Sequence, residues 1–211
     1  MLDQALSMDL PARHVVRQLY EAALKANHGK SLCLTAAQKL VEKTDPRDYV
    51  FVLTGFPILP LNIAETDGPV GAAVLVKALQ AIGLEPILIT DDLCVKVVRA
   101  AASRTSVFEF PTDSSQALSQ AEQLLKKSNP SVLLAVERPG WNRRHEYHNM
   151  RGLNISSIVG KTDYLFMLGQ KQGALTVGVG DGGNELGCGL IQQAAHEYVP
   201  YGAKCQCPCK G

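Results

Sequence analysis

A doubly wound, Rossmann-like α/β fold is what this 211-residue sequence predicts: a mostly parallel sheet with helices on both faces, preceded by a helical segment. Three observations carry that expectation. Short apolar, β-branched runs begin at Tyr49 and recur down the chain. Stretches with apolar residues at helical spacing separate them. Strand–helix alternation at this interval implies parallel pairing through right-handed crossovers.

Residues 11–43 read as helices, with Val15, Leu19, Ala22 and Ala23 at helical spacing. Asn27, His28 and Gly29 break the pattern, and Thr35 is the expected cap of the helix that resumes. YVFVLTGFPIL reads as a strand buried on both faces. GPVGAAVLVKALQAIG comes next as an apolar helix, opened by Gly68 and Pro69 and closed by Gly83. EPILITDD, SVFEFPT and PSVLLAVERPG read as further strands. Between them, LCVKVVRAAASR and SSQALSQAEQLLKKSN read as helices, the second capped by Ser114 or Ser115. Residues 141–160 look irregular, TDYLFML is expected to be a strand or strand start, ALTVGVG a last strand, and GCGLIQQAAHEYV a helix. The expected organisation is a helical segment over 1–44 packing on an α/β domain over 45–211. That domain is expected to be truncated at its C-terminal end, since the chain stops soon after the last helix.

Basic and acidic residues number 21 and 20, so no global field recruits nucleic acid or an anionic membrane. No apolar run approaches the roughly 20 residues that span a bilayer. The expected partner is a small molecule, with neither nucleic acid nor membrane. Three of the six cysteines, Cys205, Cys207 and Cys209, crowd the end, which argues against a secreted disulfide framework. The N-terminus shows no targeting signal.

In open parallel sheets ligands bind beyond the carboxyl ends of the strands, and three polar segments fall there. Glu65, Thr66, Asp67 and Gly68 come after the first strand, where a helix N-terminus can hold an anion or simply be capped. Glu137 and Arg138 end the fourth strand, as acid/base or carboxylate-orienting groups, or as a local ion pair. Arg143, Arg144 and Arg151 add positive charge downstream. His145 and His148 read as loop residues before metal ligands. The most specific segment is Gly178-Val179-Gly180-Asp181-Gly182-Gly183-Asn184-Glu185-Leu186-Gly187. It lacks both the dinucleotide spacing and the lysine of a phosphate-binding loop. A turn that presents two carboxylates and an amide suits a small polar substrate or a hard divalent ion such as Mg or Mn.

GFPILPLNIAETDGPVGAAVLVKALQAIG, ERPG, YHNMRGLNISS and VGVGDGGNELGCG together resemble the C-terminal domain of the D-glutamate cyclase family. The resemblance implies the intramolecular dehydration of D-glutamate to 5-oxo-D-proline, catalysed by a carbon–oxygen lyase. It also implies an upstream domain in the full-length protein and a mitochondrial matrix location. On this reading Asp181 and Glu185 are an acid/base pair or metal ligands, and Glu137 is the alternative base. Asn184, with Gly182 and Gly183, holds substrate or oxyanion. Arg138 or Arg151 pairs with the α-carboxylate, and Thr66, Asp67 and Gly68 complete the pocket. The competing expectation is a non-catalytic module that binds a small acid or nucleotide.

Overall fold

A computed structural model describes residues 2–9, 12–200 and 202. The terminal cysteine cluster lies outside the described residues. Ahead of the sheet stand α1 (Leu2–Leu6), α2 (Val16–Ala26) and α3 (Leu32–Lys43). Then come β1 (Tyr49–Thr54), β2 (Pro57–Ile58), β3 (Ile63–Ala64), α4 (Asp67–Ala81), β4 (Glu85–Thr90), α5 (Asp92–Ala101) and β5 (Val107–Glu109). The remainder is α6 (Ser114–Ser128), β6 (Val132–Val136), α7 (Asp163–Lys171), β7 (Leu175–Val179), a 3-10 turn (Cys188–Ile191) and α8 (Gln192–Tyr198). No helix among the described residues is long and apolar enough to cross a membrane.

Five strands form one sheet in the order β5-β4-β1-β6-β7, and every pair in it is parallel. The order runs outward from β1 in both directions, so the doubly wound switch point lies between β1 and β6. Side-chain alternation explains the two layers. Val50 and Val52 face α4 and α5, packing with Ala72, Val76, Leu79 and Val98. Phe51 and Leu53 face α6 and α7, packing with Ala117, Ala121, Leu125 and Leu165. Two-sided burial is why β1 reads as a continuous apolar run. Register then sets the site: Thr54 pairs with Val136, and Val136 with Val179. Three strands therefore end at one level, and the loops that leave them emerge at one rim.

Several local expectations are corrected. TDYLFML is helical, forming most of α7. Leu165, Phe166 and Gly169 are its buried face, a period near 3.6, and a parallel β6–β7 crossover is made by a helix in most such units. Ser31, accepting from the Leu34 N–H, caps α3 instead of Thr35. Asp113, accepting from Ser115 and Gln116 N–H, caps α6 instead of either serine. An aspartate with extended backbone just outside the helix offers its oxygen to the second and third amides, which residues already inside the first turn cannot do. The β2–β3 hairpin and α1 were not legible. Residues 141–160, irregular in sequence, enclose a small core of their own: Phe56, Tyr147, Ile155 and Val159 are buried together.

Candidate active site

Strand β6 ends at Val136, and the next residue, Glu137, turns left-handed at φ 45. That conformation is uncommon for a residue with a side chain and concentrates at functional positions. Its N–H still reaches the Val179 carbonyl at 2.9 Å, so the residue stays pinned to the end of β7. Gly68, at the start of α4, leaves room for it. A Cβ there would lie 2.7 Å from the Glu137 Cβ.

The glycine turn after β7 folds back on the segment after β6. Pro139 and Glu185 form an antiparallel bridge, with Leu186 N–H donating to Arg138 O at 2.9 Å and Gly140 N–H to Asn184 O at 3.0 Å. Glu185 is 5% exposed and organises the turn. Its Oε1 accepts from Gly182 N–H at 2.6 Å and Asp181 N–H at 3.2 Å, and its Oε2 from the Cys188 thiol at 3.3 Å. The turn must be glycine-rich because a Cβ on Gly180 would meet the Glu185 Cδ at 2.7 Å. Asn184 donates from Nδ2 to the His148 carbonyl at 2.8 Å, tying the turn to the 141–160 loop. Its Oδ1 is enclosed without a partner among the described residues.

These folds bring three carboxylates together. One oxygen each from Glu137, Asp181 and Glu185 lies within 4.8 Å of the others. Burial, then the charges of Glu185, Asp181, Asp67 and Glu65, push the Glu137 carboxyl up to about 9. Glu65 is also raised, by burial and by Asp67, with Arg13 acting in the opposite direction. The acidic turns after β1, β6 and β7 thus act on one another as a single electrostatic unit. Arg13, from the segment before α2, enters this unit through an ion pair with Asp181 at 2.6 Å.

A cavity of about 210 Å³ adjoins the unit, with Glu185 in its wall. Gly182, Gly183 and Asn184 line it from the turn, Trp141, Arg143 and His148 from the loop, and Gln192 and His196 from α8. Residues 11–210 match the sequence model of a family described as D-glutamate cyclase-like, C-terminal. The chain belongs to this family. As a member of the D-glutamate cyclase-like C-terminal family, it is also similar to a human protein named D-glutamate cyclase, mitochondrial. The two are 31% identical over 204 residues, an alignment that takes in 90% of this chain and 30% of the human protein. The chain therefore spans less than a third of that relative.

Not every sequence-predicted residue of this family member reaches the rim. Glu137, Asp181 and Glu185 do, with Asp67 and Glu65 near enough to raise Glu137. Gly68 is buried behind Glu137, and Thr66 is exposed at the start of α4 with no side-chain cap bond. Arg138 is corrected: it is wholly buried and points inward. Its guanidinium is spent on Asp91 at 2.7 Å, Gly160 O at 2.7 Å, Gly55 O at 3.0 Å and Thr162 Oγ1 at 3.1 Å. A residue so enclosed cannot meet a substrate carboxylate; alternation along the strand end sends Glu137 and Arg138 in different directions. Arg151 is exposed and is not among the residues lining the cavity. Arg13 and the α8 wall were missed, because no motif marks a side chain that reaches its partner 168 positions away.

Proposed function

We propose that this domain carries the cyclase centre of its family, closing D-glutamate on itself to give 5-oxo-D-proline and water. The observation that carries the reading is the meeting of Glu137, Asp181 and Glu185 past the carboxyl ends of β6 and β7, beside a small cavity whose wall includes Glu185. Ring closure needs a neutral α-amine, a proton for the departing oxygen, and stabilisation of the tetrahedral oxyanion. A carboxyl pushed up to about 9 is protonated at neutral pH, so Glu137 is assigned the proton to the leaving oxygen. Asp181 or Glu185 takes the proton from the attacking amine. Asn184 holds the substrate through its side-chain amide. Enclosure in the cavity keeps amine and γ-carboxyl close, which counts heavily for an intramolecular step.

The donor set also fits a hard divalent ion, since three carboxylate oxygens, one from the end of β6 and two from the turn after β7, converge without nitrogen or sulfur among them. Asp181, Glu185 and Glu137 would hold Mg or Mn, and the ion would supply positive charge to the oxyanion. Without the ion Glu137 keeps its proton; as a ligand it would be deprotonated. The bonds within the turn are this chain's own contribution in either case.

Incubation of the purified domain with D-glutamate, assayed for 5-oxoproline, tests the reading. Asp181→Asn should lower turnover by about 10²–10⁴-fold with the fold intact. Undiminished turnover by that variant removes Asp181 from the chemistry. Binding of D-glutamate without product favours the non-catalytic module instead. A mitochondrial matrix location and an upstream domain in the whole protein belong to the same proposal; they rest on the name and greater length of the human relative. Fractionation of cells expressing the full-length protein tests the first.

A further inference from the structure

Five acids, Glu65, Asp67, Glu137, Asp181 and Glu185, share one electrostatic neighbourhood. D-Glutamate brings two carboxylates of its own, so a site built from acids needs a cation to admit it. Arg138 is consumed in the interior; Arg143 lines the cavity but reaches Gln192 Oε1 at 3.4 Å, and among the described residues neither it nor Arg151 forms an ion pair with any of the five acids. Among the described residues, the ion pair between Arg13 and Asp181 is the one that places a guanidinium on this acidic unit.

We propose that Arg13 is the receptor for the substrate's α-carboxylate, held at the rim by Asp181; the inference rests on the cyclase reading. Nη1 of Arg13 carries the 2.6 Å bond to Asp181 Oδ1 and a 3.3 Å contact with Met150 Sδ. Nε and Nη2 have no hydrogen-bond partner among the described residues, and the side chain is 38% exposed. The guanidinium is thus anchored by one arm and offers a planar edge of donors, the shape that matches two carboxylate oxygens. An anchored arginine has already given up most of the rotamer freedom that a loose surface arginine loses on binding.

The backbone around it is built for this placement. Asp9 accepts from Arg13 N–H at 2.9 Å and from His14 N–H at 2.5 Å. Ala12 and His14, on either side of Arg13, are both left-handed, at φ 54 and 61. Two such residues flanking one side chain persist only where the surroundings over-determine them. The next residues secure the segment: Val15 and Leu19 are buried against Ala194, Ala195 and Val199 of α8 and its end. Arg17 is the contrast, a solvated pair with Glu21 one turn along the same helix.

The assignment predicts a specificity. 4-Aminobutyrate has the same reacting amine and carboxyl, and would close to the five-membered lactam with loss of water, but it has no α-carboxylate. Arg13→Gln should raise the KM for D-glutamate tenfold or more, the usual scale for losing a hydrogen bond between charged groups, with kcat changed less than about threefold. The inhibition constant of 4-aminobutyrate against D-glutamate should stay within about twofold, and Arg13→Lys should recover part of the lost affinity. The proposal is overturned if kcat falls at unchanged KM, or if both ligands weaken by the same factor, since either means that Arg13 serves only to hold Asp181. Should the unaltered protein turn over no D-glutamate, the cyclase reading fails by itself. Calorimetric titration then decides Arg13 separately: a tenfold weaker D-glutamate affinity in Arg13→Gln supports the receptor, and equal affinity overturns it.

Discussion

Glu137 concentrates the local physics of the site. Its backbone is left-handed, its carboxyl is half-buried, and its neighbours are acids, so the folded state holds a proton that the unfolded chain releases near 4.5. Between about 4.5 and 9 the native form binds more protons than the unfolded form, so this group makes stability fall as pH rises. Glu137→Gln keeps the shape without the titration. Its melting temperature relative to the unaltered protein should therefore rise steadily from about pH 5 to about pH 9; a constant difference would mean that Glu137 titrates normally. If Glu137 is the acid, kcat falls as pH passes about 9, and the glutamine variant loses about 10²–10⁴-fold in rate at neutral pH. The residue types at the site were legible in sequence because Gly, Asp, Asn and Glu in one short stretch after an apolar strand have few structural uses. The roles were less legible. Glu137 and Arg138 are adjacent and of opposite charge, yet one faces the rim and the other the interior.

Elements carry the second scale. Helix α4 starts so close to the end of β6 that Gly68 has no room for a methyl group. Gly68→Ala should push the helix start away from Glu137, costing about 1–3 kcal/mol by overpacking. Because the displaced neighbour is the catalytic candidate, turnover should fall further than stability alone explains. Denaturant unfolding and kinetics on the same variant check both. Helices and strands with a strong period were readable wherever burial is one-sided or complete. Segment 162–168 misled because a short apolar run does not distinguish strand from helix, and what decided it was the need to cross from β6 to β7. The β2–β3 hairpin is only two residues to a strand, too short for any period to show.

At the scale of the whole molecule, the Arg138–Asp91 pair joins the ends of β6 and β4, while the same guanidinium binds carbonyls of Gly55 and Gly160. One cation thus locks together the segments that leave β1, β4 and β6, and it does so from the position next to Glu137. Arg138→Met should destabilise the fold by about 3–5 kcal/mol, since it leaves Asp91 buried and unpaired. The double variant with Asp91→Leu should recover much of that loss in denaturant unfolding, an outcome that a substrate-binding role for Arg138 would not produce. The sequence by itself determined the α/β class, the order of most elements and the acidic turns, because those arise from local periodicity, turn chemistry and residue type. Only the tertiary structure decided which side chains meet. Strand register places Thr54, Val136 and Val179 at one level, and packing of α2 on α8 carries Arg13 across to Asp181. Both depend on contacts between residues far apart in the chain, and no local pattern encodes them.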